Sequence, residues 1–208
     1  PLRMDVTRPG VVAEAFQQAV LAYGGLDILV SNAGVAPVGA VQDLPLEEWE
    51  RAVAVNATGL LLVAREAVKI LREQGLGGSI VFIGTKNVPA PGAEFGAYSA
   101  SKAAGAQLAK VLALENGAYG IRVNTVHPDA VFQDSGLWSP QVRAQRAQAH
   151  GIPPEQLEEF YRQRNLLKAR ITPEDVAEAV LFFASDRSAK TTGAFLPVDG
   201  GLREAFPR

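Results

Sequence analysis

Leu26-Asp27-Ile28-Leu29-Val30-Ser31-Asn32-Ala33-Gly34 decides the fold of this chain. A short apolar run closed by a polar and small-residue stop reads as a buried strand entering a tight turn, the habit of a strand covered on both faces of a parallel sheet. Similar runs recur at Ser79 to Thr85 and at Ile121 to Val126, the latter stopping at His127-Pro128. Phe195 to Val198 reads as a final short strand, after which Gly200-Gly201 lets the chain turn. Helical spacing fills the intervals. From Pro45 to Gln74, Trp49, Val53, Leu60, Val63, Ala67 and Leu71 fall on broadly one helix face. Phe95 to about Asn116 is Ala-rich and helical. Pro173 to Phe183 reads as a helix with Pro173 in its first turn, Thr172 as cap and Asp175 beside it. Strands alternating with helices predict an α/β fold with a largely parallel sheet.

The polar, Gln- and Arg-rich stretch from about 134 to 168 reads as helical pieces forming a mobile flap. There are no internal repeats and no low-complexity linker, so residues 1–208 read as one domain. Pro1 to Thr7 looks like a strand end running into a helix capped by Thr7, with Pro9 in the first turn. No G-x-G-x-x-G occurs in the chain. A doubly wound dinucleotide-binding sheet normally opens with a strand, that glycine turn and a helix whose N-terminus holds the pyrophosphate. The sequence therefore reads as the C-terminal portion of a Rossmann-like fold, lacking its first strand, Gly loop, helix and second strand.

Composition narrows the chemistry. With 48% hydrophobic and 20% charged residues and a formal charge of −2, nothing points to nucleic acid or a membrane surface. No apolar run approaches the ~20 residues of a membrane span. The first residues have no signal-peptide character, and the composition reads as cytoplasmic. The absence of cysteine removes disulfides, thiolate catalysis and Cys-ligated zinc. His127 and His150 are the only histidines, so no His-rich metal site is expected. A Ser-His-Asp hydrolase finds no G-x-S-x-G elbow.

Tyr98 and Lys102 in Ala97-Tyr98-Ser99-Ala100-Ser101-Lys102-Ala103 are four apart in a helix-forming stretch and share one face. A phenol with a reference pKa of ~10 is a poor acid–base at neutral pH. A cation one turn away lowers that value and makes the phenol a proton donor to a carbonyl, or an acceptor from an alcohol. Taken alone, such a pair is commonplace on helix surfaces.

Its setting is not. Leu26–Gly34 (LDILVSNAG), Asn56 within Val55–Gly59 (VNATG), Gly78–Thr85 (GSIVFIGT), Tyr98–Ala103 (YSASKA), Ile121–Pro128 (IRVNTVHP) and Gly193–Gly201 (GAFLPVDGG) resemble, in order, the motifs of the short-chain dehydrogenase/reductase family. The resemblance covers nearly the whole chain. It implies hydride transfer between a nicotinamide cofactor and a small alcohol or aldehyde. NAD is the expected cofactor; NADP stays open, because that choice is made just after the fold's second strand. By the same resemblance Tyr98 is the acid–base and Lys102 lowers its pKa and holds the nicotinamide ribose. Asn56 supports a water feeding protons toward Lys102. Thr85, where the family most often has Ser, orients the substrate oxygen; its extra methyl group tightens the pocket. Asn32, Ala33 and Gly34 contact the adenosine side, and Asp5-Val6 resembles the pair that reads the adenine. Pro128 opens the nicotinamide loop, and Val131 offers its backbone to the carboxamide. Asp129 replaces the family's Gly, and Gln133 stands where a pyrophosphate-binding Thr is usual. The family also implies a homo-dimer or homo-tetramer built through the helices at about 46–74 and 95–118. A catalytically silent dinucleotide sensor or scaffold is the alternative, although such a protein has no need of a tuned phenol.

Three loop segments, Phe82–Pro91 (FIGTKNVPAP), Pro128–Trp138 (PDAVFQDSGLW) and Phe160–Leu167 (FYRQRNLL), are similar to the dehydrogenase part of the bifunctional rhamnulose-1-phosphate aldolase/lactaldehyde dehydrogenases. That likeness implies lactaldehyde, or a similar short hydroxy-aldehyde, as substrate, and an aldolase domain upstream in the same polypeptide. Lys86 and Trp138 are then candidate substrate contacts with Thr85, and Asn87, Phe95 and His150 lie near the pocket by position.

Overall fold

A computed structural model describes residues 1–206; the last two positions of the predicted 1–208 domain lie outside the described residues. Four strands form one parallel sheet in the order β1 (Ile28–Ser31), β2 (Gly78–Ile83), β3 (Ile121–Pro128) and β4 (Phe195–Val198). The α/β class, the parallel sheet and its single-domain organisation agree with the sequence reading.

Period-two alternation along β2 builds the two layers. Ile80 and Phe82 point to one face, where Leu60, Ala64, Ala67 and Leu71 of α3 (Leu60–Gln74) meet Ala109, Leu112 and Ala113 of α4 (Gly96–Asn116). Val81 points the other way, onto Ala179 and Phe183 of α7 (Pro173–Ala184). Helices on both faces make the sheet doubly wound. The helix α1 (Pro9–Tyr23) closes the first layer through Val12, against Leu62 and Val63 of α3. Leu71 is fully buried between helix and sheet. Leu71→Ala should cost about 2–5 kcal/mol through lost transfer energy and the cavity left behind, read as a lower denaturant midpoint with an unchanged slope.

Three local expectations need correction. Ile28 and Val30 are 45% and 44% exposed, because β1 is an edge strand among the described residues and only Leu29 packs inward. Thr7 does not cap α1. Its amide and hydroxyl both donate to Asp5 Oδ1, at 2.9 and 2.7 Å, and Arg8 takes the N-cap position without a side-chain cap. The 45–74 segment is not one regular helix: α2 (Leu46–Val53) passes into α3 through a π turn at Ala54–Gly59. One extra residue in a turn rotates the helix face by about 100°. Trp49 therefore leaves the buried stripe and is 41% exposed, whereas Leu60, Val63, Ala67 and Leu71 stay inside. Thr172 and Asp175 do form the expected reciprocal cap of α7.

The flap consists of α5 (Pro140–His150), a 3₁₀ turn and α6 (Leu157–Arg164). It has a core of its own: Trp138 stacks on Phe132 at 4.1 Å, and Tyr161 meets both rings edge-on. Among the described residues no helix is long and apolar enough to cross a membrane.

Candidate active site

Because the strands are parallel, their carboxyl ends gather at one edge, where open α/β sheets bind ligands. A cleft of about 1030 Å³ lies there. β1 delivers Val30 and Asn32 to it, β2 delivers Ile83 and then Thr85 to Asn87, and α4 brings Phe95 and Tyr98. β3 contributes Pro128 to Val131 and Gln133, and the flap closes the far side with Trp138, Arg146, His150, Tyr161 and Arg164.

Thr85 sits just past the end of β2. Its Oγ1 accepts from the Asn87 backbone N–H at 3.3 Å, and its hydroxyl is near enough to Tyr98 to lower the phenol's pKa. Tyr98 is only 8% exposed, with its ring 5.9 Å from that of Phe95. Lys102, one turn on, is buried, and its Nζ donates to the Ile83 carbonyl at 2.7 Å. The sequence reading had the lysine pulling the phenol's pKa down. In the structure burial pushes Tyr98 above its ordinary value, and the Thr85 hydroxyl is what opposes it. Burial also lowers the Lys102 ammonium to about 8. The correction is physical: two groups that each lose water when charged cannot be tuned by spacing alone.

Asn56 lies in the π turn, and its amide is in full use. Oδ1 accepts from Val35 N at 2.9 Å, and Nδ2 donates to Val35 O at 2.8 Å and to Ser101 Oγ at 2.9 Å. It thereby ties the helix kink to the loop after Gly34 and to α4, beside Lys102. Gly34 lies between them: a Cβ there would stand 3.4 Å from both Asn56 Oδ1 and Lys102 Nζ. A side chain at position 34 would crowd both groups, so glycine lets the loop pass this close to the ammonium.

The remaining predicted residues divide. Asn32, Pro128, Val131, Lys86 and Trp138 all line the cleft, as do Asn87, Phe95, Gln133 and His150. Trp138 is also part of the flap core. Ala33 is exposed on the turn after β1. Asp5 and Val6 are not among the cleft-lining residues. Val6 packs on Gly59 and the Val12 cluster, and exposed Asp5 closes its turn onto Thr7, which holds its carboxyl below the usual range.

Sequence reasoning gave no role to three charges in the cleft, two of them buried. Asp129 and Arg146 are 8% and 5% exposed. Arg164 reaches Asp129 at 3.4 Å, and Arg146 binds Glu94 at 2.6 Å. One signal was available: Arg143, Arg146 and His150 fall three and four apart on one face of α5.

Comparison with known proteins agrees with this architecture. A family model described as enoyl-(acyl carrier protein) reductase matches residues 2–203. An uncharacterized oxidoreductase of Bacillus subtilis is 50% identical over 207 residues, which is all of this chain but 30% of that relative. An uncharacterized NAD-dependent oxidoreductase of Mycobacterium tuberculosis is 34% identical, with 96% of this chain and 70% of the relative covered. Among solved structures, sorbitol-6-phosphate 2-dehydrogenase of Erwinia amylovora superposes with a TM-score of 0.89 at 30% identity, covering 96% of this chain and 77% of that one. A parallel sheet with its cleft at the strand ends, a Thr–Tyr–Lys cluster on the wall and a match along nearly the full length place the chain in the short-chain dehydrogenase/reductase family of oxidoreductases.

Proposed function

We propose that this domain transfers a hydride between NAD and a small alcohol or aldehyde, with Tyr98 as the acid–base. The observation that carries the reading is that Thr85 and Tyr98 share the wall of the cleft, with Lys102 one turn behind. Nicotinamide, when bound, accepts or returns the hydride. In the oxidative direction the substrate hydroxyl gives its proton to the Tyr98 oxygen, Thr85 fixes that hydroxyl, and Lys102, buried beside Gly34, is assigned the nicotinamide ribose. Asn56 acts as a positioning residue, holding the Val35 loop and α4 in register. Asn32, Ala33, Gly34, Pro128 and Val131 form the cofactor side of this reading, and Thr85, Lys86 and Trp138 the substrate side.

Lactaldehyde is the substrate we favour. The three loop segments similar to the lactaldehyde enzymes converge on the cleft, supplying Thr85 to Asn87, Pro128 to Trp138, and Tyr161 with Arg164. That this chain spans 30% of the Bacillus subtilis relative supports a domain working inside a longer polypeptide, and an aldolase is the partner domain we propose there. We also assign a homo-oligomer through α3 and α4, which leave Leu61, Val111 and Leu114 44%, 39% and 85% exposed. The test is absorbance at the reduced-nicotinamide band: the hydrate of lactaldehyde carries the hydroxyl that Tyr98 deprotonates, so lactaldehyde, water and NAD should give lactate and reduced cofactor in equal amounts, with two protons released. Reduction of NAD with no gain over a protein-free blank would overturn the reading.

A further inference from the structure

Past Thr85, the wall of the cleft carries Lys86, Arg146 and Arg164, and the last two are ion-paired. Lys86 is half-buried, and its Nζ donates to the Ala90 carbonyl at 3.2 Å. Among the described residues no carboxylate lies within 4.0 Å of it; Asp129 and Glu204 act on it only through space. Asp129 is taken by Arg164. Opposite, Arg146 uses its Nη1 on Glu94 and on the Ala93 carbonyl, and its Nη2 meets His150 at 3.3 Å. Its Nε is buried with no partner. Asn87, 6% exposed, leaves its side-chain Oδ1 in the same condition. All three residues line the cleft, and Lys86 and Arg146 lie beside Phe95. The Arg146 guanidinium lies 4.9 Å over that ring, and a Cβ on Gly92 would be 3.4 Å from the ring edge and 4.0 Å from Lys86 Nζ. Tyr98 touches the same ring.

A buried donor without an acceptor and a cation without a counter-charge are both costly in a folded protein, and each is relieved by the same kind of ligand. We propose that Lys86, Asn87 and Arg146 receive the far end of the substrate, and that this end is an anion, a carboxylate or a phosphate on a short hydroxylated chain. Lys86 supplies the counter-charge, Arg146 Nε the buried donor, and the Asn87 amide serves a neighbouring hydroxyl. The Phe95 ring sets the spacing, so the reacting carbon at Tyr98 and the anion lie a few carbons apart. This rests on the hydride-transfer reading above and widens its substrates from neutral lactaldehyde to hydroxy acids and sugar-type phosphates.

The experiment compares matched pairs with NAD: 3-hydroxybutyrate against 1,3-butanediol, and glycerol 3-phosphate against glycerol. In one pair at least, kcat/KM should favour the anion by about tenfold or more, the size of one charge-assisted hydrogen bond. The two pairs separate carboxylate from phosphate. Lys86→Met should bring that ratio to about one, acting through KM, and Lys86→Arg should restore it. Ratios near one in both pairs for the unaltered protein, or a Met variant that keeps the preference, overturn the proposal. If no alcohol or aldehyde is turned over, the hydride-transfer reading falls by itself. Calorimetric titration with 3-hydroxybutyrate and glycerol 3-phosphate then decides the anion site. Binding lost in Lys86→Met supports it, and equal or absent binding overturns it.

Discussion

Tyr98→Phe should turn over at least about a hundredfold more slowly than the unaltered protein, since a positioned acid–base is worth roughly 10²–10⁴ in rate. Only one oxygen is removed. The ring keeps its place against Phe95, so thermal unfolding should move little. NAD affinity, measured by quenching of Trp fluorescence, should also hold, because the cofactor contacts assigned to Asn32, Gly34 and Lys102 remain. The separation of rate from binding is the useful part of the result. A collapse of both would mean that Tyr98 acts as packing. Turnover within threefold of the unaltered protein would remove it from the chemistry altogether.

Lys102→Met should lower the oxidation rate through loss of the contact assigned to the nicotinamide ribose, and leave the rising limb of the pH–rate profile in place, because burial and Thr85 rather than Lys102 set the Tyr98 pKa. A second readout is stability. Burial lowers the Lys102 pKa from 10.5 to about 8 in the folded protein. Between those values the unfolded chain holds a proton that the folded one has released. Folding stability contributed by this group therefore rises from about pH 8 to about pH 10.5, having been lowest where the ammonium is charged in both states. Lys102→Met should lack that rise. Parallel stability curves for the two proteins across this window would show that Lys102 is not desolvated.

Much of this could be read from the residues because the decisive signals were local. Leu26–Gly34, Ser79–Thr85 and Ile121–Pro128 are too apolar, too short and too cleanly stopped to be anything but strands, and parallel strands bring their ends together. That is how Thr85, thirteen positions before Tyr98, comes to share the cleft wall with it. Illegible features depended on what lies across space. Ile28 and Val30 look like core residues in sequence, yet exposure follows from what pairs with β1. The π turn arises where Asn56 reaches Val35 and Ser101, 21 and 45 positions away. Spacing placed Lys102 on Tyr98's face but said nothing of the water both would lose. Arg146 and Arg164 sat in a stretch so polar that it reads only as a flap; Phe95 and Glu94 draw Arg146 inward, and Tyr161 of the flap's aromatic cluster holds Arg164 at 4.4 Å.

The private core of the flap has a consequence for how this scaffold changes its diet. Phe132, Trp138, Ala147, Leu157 and Tyr161 hold each other, and none of them belongs to the two clusters that weld helices to sheet. A lid with its own interior can be exchanged as a cassette. Grafting another lid between β3 and α7 should alter which molecules are admitted while the hydride machinery beneath keeps its shape.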